Sequence, residues 1–250
     1  MEPLHSWNVS TEEAIQIQEA LRGRIILKKS CSKVKTVGGG DVAYSKNGNH
    51  LFGAMVVLSF PSMEILDMAT VEGKTPFPYI PSLLSFREGP ILINIFRNLK
   101  IKPDVLMVDG QGIAHPRGMG LASHMGLWFN LPSIGCAKTP LLDEFISPGP
   151  LRGSYEWIRR KGKKVGAVLR TKDKVNPLFV SPGHRIDLKT SIQLILESCQ
   201  GFRYPEPLRQ AHQASLLVRR EASNKSQALS LSEKTNGSSH FIRNDKPSGS

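Results

Sequence analysis

The chain has 250 residues, enough to bury one large α/β core, and its 33 Lys and Arg against 21 Asp and Glu give a net charge of +12 with histidine neutral. Such a basic balance suits a polyanionic partner, nucleic acid above all. No run is long and apolar enough to span a bilayer, and the polar N-terminus has no hydrophobic signal core; no membrane partner is expected, and the cytoplasm is the expected compartment. Cys31, Cys136 and Cys199 are odd in number and lack metal-type spacing, which fits a reducing compartment. Cys136 falls in a strand-like run, where a small apolar residue is the default.

Ser10 and Glu13 have the spacing of a capping box, and Ala14, Ile17 and Leu21 recur on one face, so the chain opens on a helix. Strands are predicted at 36–44, 51–59 and 64–71. Asn47-Gly48 turns the chain between the first two and Pro61-Ser62 between the second and third, which makes them antiparallel neighbours. A Pro-rich stretch from Pro76 to Pro81 leads into a helix over 82–99. Leu84, Glu88, Ile91, Ile95 and Leu99 share one face of it, and Pro90 should kink it or end its first turn. Then come a strand over 104–109, a helix over 119–129 and a strand over 132–137. A hairpin of strands 153–158 and 165–170 follows, joined by the basic turn 159–164. Strand 177–181, a helix over 187–199 capped by Asp187, and a last helix over 206–220 complete the body. Residues 1–220 are read as one domain. From Glu221 the chain is rich in Ser, Asn and Lys and is expected to be a disordered tail; it carries a net charge of only +1, so the basicity belongs to the body.

Three acids stand where a carboxylate is costly: Asp41 inside the first strand, Glu88 on the apolar face of a helix, and Asp109 at the end of an apolar strand. Each alone has a bland reading, as a satisfied strand residue, a partner of a nearby cation or a turn. Together they are an all-oxygen set suited to magnesium, with manganese as a substitute, and hence to metal-dependent phosphodiester chemistry. A three-stranded meander, then a helix, then a further strand resembles the ribonuclease H-like fold, an α/β class with a mixed central sheet and flanking helices. Nucleases of that fold carry carboxylates at these stations.

The segments around the acids are more specific. Gly40-Asp41-Val42-Ala43-Tyr44, Pro78-Tyr79-Ile80-Pro81 with Ser85-Phe86-Arg87-Glu88, and the run Val108-Asp109-Gly110-Gln111-Gly112-Ile113-Ala114-His115-Pro116-Arg117 closely resemble the endonuclease V family. So do Ile134-Gly135-Cys136-Ala137-Lys138, the run from Asn176 to Arg185, and Tyr204-Pro205-Glu206-Pro207-Leu208-Arg209. The resemblance covers residues 10–220. It implies an enzyme that recognises inosine, the deamination product of adenine, and nicks the strand at the second phosphodiester bond on its 3′ side in DNA repair. The alternative is a related nuclease acting mainly on inosine-containing RNA.

By the same resemblance Asp41, Glu88 and Asp109 hold the metal, with His212 beside it; a structural His on the last helix is an equal competitor. Lys138 is matched to an active-site lysine. Tyr79, flanked by Pro78, Ile80 and Pro81, is matched to a wedge that fills the hole left by an extruded base, against the alternative of a packed loop tyrosine. Gly110 and Gly112 permit close backbone approach to a base or phosphate. His115 would orient water or touch phosphate, or else make a loop hydrogen bond. His184 and Arg185 would contact phosphate, or else lie in a solvated loop. The basic turn 159–164 is either a phosphate track or a solvated tip. The glycine run 38–40 departs from the family's usual strand entry and is expected to loosen the strand bearing Asp41. A monomer is the simplest assembly. A nuclease from a nucleotide-excision enzyme and a non-catalytic nucleic-acid binder compete with this reading. The Tyr79 loop argues against the first and the three acids against the second.

Overall fold

The computed structural model describes residues 2–28 and 33–237. Helix α1 spans Thr11–Leu21, and its Ser10–Glu13 capping box forms in both directions. A short 3-10 turn, Arg22–Arg24, ends it. Strands β1 (Thr36–Tyr44), β2 (His50–Ser59) and β3 (Ile65–Lys74) make the antiparallel meander. Helix α2 (Leu84–Asn98) leads to β4 (Val105–Val108), α3 (Leu121–Phe129) and β5 (Ser133–Ala137). Then come β6 (Tyr155–Arg160), β7 (Lys163–Leu169), β8 (Leu178–His184), α4 (Leu188–Ser198) and α5 (Glu206–Gly237).

All eight strands join one mixed sheet in the order β3-β2-β1-β4-β5-β8-β7-β6. The first five strands stand in the order 3-2-1-4-5 expected of a ribonuclease H-like core, with β4 and β5 parallel to β1. Strand alternation sorts the two faces. Val105 and Met107 of β4 pack with Ile195 of α4 and Leu208 of α5, whereas Leu106 and Val108 pack with Ile95 of α2 and Met125 of α3. The sheet is therefore a buried central layer between α2 and α3 on one side and α4 and α5 on the other.

Several boundaries differ from the sequence reading. Helix α2 runs through Pro90 without ending; Pro90 is exposed, so the missing N–H is lost on the solvent side. The basic stretch 159–164 is mostly strand. Only Lys161-Gly162 turns, with φ of 52° and 75°, the positive pair that matches strand twist in a two-residue hairpin. Helix α5 continues past residue 220 to Gly237, so the first part of the expected disordered tail is helical. No Pro or Gly interrupts 208–236 to stop it, and residues 238–250 lie outside the described residues.

The glycine run does not loosen β1. A Cβ on Gly39 would stand 2.0 Å from the Pro207 carbonyl oxygen, so this glycine admits the first turn of α5 against the strand backbone. Cys136 and Cys199 are buried with free thiols, and Cys31 lies outside the described residues. Among the described residues no helix is long and apolar enough to cross a membrane.

Candidate active site

Strand register brings the first two acids together. Gly40 is paired with Val108 across β1 and β4, so Asp41 and Asp109 follow on adjacent strands, which lie about 4.8 Å apart. Glu88 reaches the same end of the sheet from α2, and it is buried. Burial pushes its carboxyl up to about 8; the Tyr44 hydrogen bond opposes that rise, and the charges of Asp41 and Asp109 reinforce it. The three acids are thus close enough to repel one another.

Each acid is turned onto a donor of the chain itself. Asp41 Oδ2 accepts from His212 Nδ1 at 3.0 Å and from Ser215 Oγ at 2.8 Å, both on α5. Asp109 Oδ2 accepts from Lys138 Nζ at 2.9 Å. Glu88 Oε1 accepts from the Tyr44 hydroxyl. Among the described residues no group of three His, Cys, Asp or Glu is gathered closely enough to enclose an ion; Asp41, Glu88 and Asp109 each face a donor within the chain. His212 serves as the partner of Asp41. The donor set nonetheless fits a hard divalent cation. All three acids offer oxygen, and the cation beside the buried Glu88, Arg87, has its guanidinium committed to the carbonyls of Phe77 and Gly48.

Beside Asp109 and Lys138 lies a cleft of about 370 Å³, bounded by Gly110, Gln111, Leu121 and the loop Tyr79-Ile80-Pro81-Ser82. Tyr79 stands at its rim and is 68% exposed. Pro78 faces a separate groove with Phe77 and Phe86 on the other side of that loop. The loop is fixed at its base by Ser82. Its carbonyl accepts from Gln18 Nε2 at 3.0 Å, His115 Nε2 at 2.9 Å and Arg117 Nη2 at 3.0 Å, and its hydroxyl accepts from Arg117 Nη2 at 2.6 Å. Lys138 Nζ also lies 4.6 Å from the centre of the Tyr204 ring, whose hydroxyl donates to the Cys136 carbonyl.

The other candidate residues have partners within the fold. His115 is 1% exposed; its Nδ1 accepts from the Arg117 backbone N–H while Nε2 holds Ser82, so it lines the cleft but supports the loop, as its loop-hydrogen-bond reading has it. Burial pushes its imidazole down to about 4. Gly112 approaches backbone closely, but the backbone of β8: its N–H donates to Ser181 Oγ at 2.8 Å, and a Cβ there would meet the Pro182 carbonyl oxygen at 2.2 Å. His184 pairs with Ser133, at the opposite end of β5 from Lys138, so His184 and Arg185 do not join the acids. His184 is buried and accepts from the Ile26 N–H, and Arg185 donates to Asn130 Oδ1.

Sequence reasoning missed Tyr44, Ser215, Gln18 and Tyr204. Ser215 was findable, since it lies three residues after His212 on the same helical face. Gln18 was visible as a polar residue between the apolar positions of α1. Tyr44 and Tyr204 stand inside segments that carry the resemblance, but their roles were not legible because their partners come from distant segments.

A family model described as Endonuclease V matches residues 19–213. The chain is 46% identical over 201 residues to Endonuclease V of Dictyoglomus turgidum, covering 80% of this chain and 87% of that protein. It is similar to the crystal structure of Endonuclease V from Streptomyces avermitilis, with a TM-score of 0.82 and 38% identity over 87% of this chain and 96% of that one. It is also similar to Ciona intestinalis Endonuclease V solved with a 23mer DNA containing an inosine followed by a ribo-adenosine, with a TM-score of 0.75 and 33% identity over 86% and 99% of the two chains.

Proposed function

The chain belongs to the endonuclease V family and is a metal-dependent endonuclease, and from that premise we propose that it cuts strands carrying inosine at the second phosphodiester bond 3′ of the lesion, in DNA repair. The observation that carries this reading is the meeting of Asp41, Asp109 and buried Glu88 beside a cleft rimmed by Tyr79.

Asp41, Glu88 and Asp109 would hold the ion, magnesium by preference and manganese as a substitute, and the bound ion supplies an activated water and charge for the leaving oxygen. The remaining work falls to the protein. His212 and Ser215 fix the orientation of Asp41. Tyr44 fixes that of Glu88. Lys138 presents a point charge at the mouth of the cleft, where charge develops on a phosphate brought up to the acids. The cleft takes an extruded base, and Tyr79 fills the gap left in the stack.

The test is cleavage of matched oligonucleotides, plain and with one inosine, as DNA and as RNA, with and without magnesium. Magnesium-dependent cutting of only the inosine strands, at the second bond 3′, is the expected result. Strong preference for the RNA strands would move the reading to inosine-containing RNA, and equal cutting of plain strands would overturn lesion recognition.

A further inference from the structure

A second groove, of about 280 Å³, opens between the 3-10 turn after α1 and the β6–β7 hairpin. Its rim carries the exposed cations Arg22 and Lys163, and Arg160 lies half-buried in its wall; Lys164 also lines it but turns its ammonium over the Trp157 ring, and no acidic side chain appears among the described residues that line it. Its floor includes Ile25 and Val165, so the charges surround an apolar base.

The position of Arg160 is built. Nη1 donates to the His115 carbonyl at 2.9 Å, and the guanidinium lies so close over Gly118 that a Cβ there would meet Nη1 at 2.5 Å. Gly118 also has a φ of 73°, which favours glycine. Like charges gathered without an acid repel one another, and Arg22 and burial together hold the Arg160 guanidinium below its usual range. A polyanion relieves both costs. The groove also connects to the cleft through one residue: the His115 side chain lines the cleft, and its carbonyl is held by Arg160.

We infer that this groove is a second binding site for the phosphodiester backbone of the substrate strand, held by Arg22, Arg160 and Lys163 beyond the base cleft. It rests on the nucleic-acid reading above and extends it to a sequence-independent contact. Phosphate contacts of this kind position a strand and carry no base information.

The experiment is anisotropy of the full chain titrated onto a labelled single strand, with and without one inosine, between about 50 and 200 mM salt. The variants are Arg22→Ala with Lys163→Ala, and separately Lys163→Glu. Both sites are exposed, and unchanged melting temperatures confirm folding. Each lost contact should reduce the slope of log K against log salt by about 0.7 on a single strand, so the double variant should lose about 1.4 and bind about tenfold more weakly at low salt. The loss should be equal on the two strands. An unchanged slope in both variants overturns the proposal, as does a loss confined to the inosine strand. If lesion recognition itself fails, the wild-type protein treats the two strands alike while the variants still change the slope.

Discussion

The Tyr44 hydroxyl and the Glu88 carboxyl meet from opposite sources, one from the end of β1 and the other from the middle of α2. The Tyr44 hydroxyl is a neutral donor, so it holds the buried Glu88 carboxyl without bringing a charge to it. A carboxyl held at about 8 when folded and near 4.5 when unfolded must take up a proton on folding across that window, so its presence lowers stability progressively as pH rises from 4.5 to 8. Glu88→Gln should therefore abolish cleavage yet raise the melting temperature of the metal-free protein at pH 8, with little change at pH 4.5. Magnesium should stabilise the wild type and not the variant in the same melts. A variant less stable than wild type at pH 8 without metal would contradict the strained acid.

Lys138 and Asp109 form an ion pair that is partly exposed, so its contribution to stability is small. Its value lies in placing a charge. Lys138→Ala should lower the single-turnover rate by about two orders of magnitude while weakening substrate binding far less, because a charge aimed at the reacting phosphate acts mainly in the transition state. Normal saturating rates with collapsed binding would make Lys138 a phosphate anchor only.

Tyr79→Ala should cost about 1–3 kcal/mol of lesion affinity on duplexes, the worth of one base–aromatic contact, and less on single strands. The cut position should hold, since the acids set it. Competition binding and product mapping on both substrate forms give the answer; equal losses on the two forms would remove the wedge role.

His115 is held neutral at about 4 when folded, while the unfolded chain takes up its proton near 6.5. Its contribution is therefore complete above pH 6.5 and is lost as pH falls from 6.5 to 4. Urea midpoints should drop across that window. His115→Gln should flatten the drop by up to about 1.4 kcal/mol per pH unit. An unaltered acid limb would show that His115 titrates normally in the folded protein.

Gly39→Ala should displace the first turn of α5, because the new methyl would lie on the Pro207 carbonyl. Overpacking of this kind costs about 1–3 kcal/mol. Since α5 carries both donors to Asp41, cleavage should fall further than the melting temperature alone accounts for. Full activity in a destabilised Gly39→Ala protein would separate helix docking from the site.

Much of this architecture was legible. The meander reads from alternation and turn residues, and the stations of Asp41, Glu88 and Asp109 read from element order. The resemblance of the segments around them pointed to the family that the comparisons then established. What failed has physical reasons. Arg159, Arg160, Lys163 and Lys164 look like a turn because charge hides strand character in an edge hairpin. The contacts of His115 to Ser82 and of Gly112 to β8 were not legible, because those partners lie far away in the chain. Helix α5 looked finished at residue 220 because its apolar face runs out, although nothing in its backbone stops it.

The three acids all fall within the first 109 residues, while both donors to Asp41 lie on the final helix, 171 and 174 positions further along. A nascent chain, or one clipped before Glu206, therefore carries every carboxylate of the centre with nothing from α5 to orient the first of them. The first acid and the groups that orient it therefore meet only once the segment from Glu206 onward has folded back against β1.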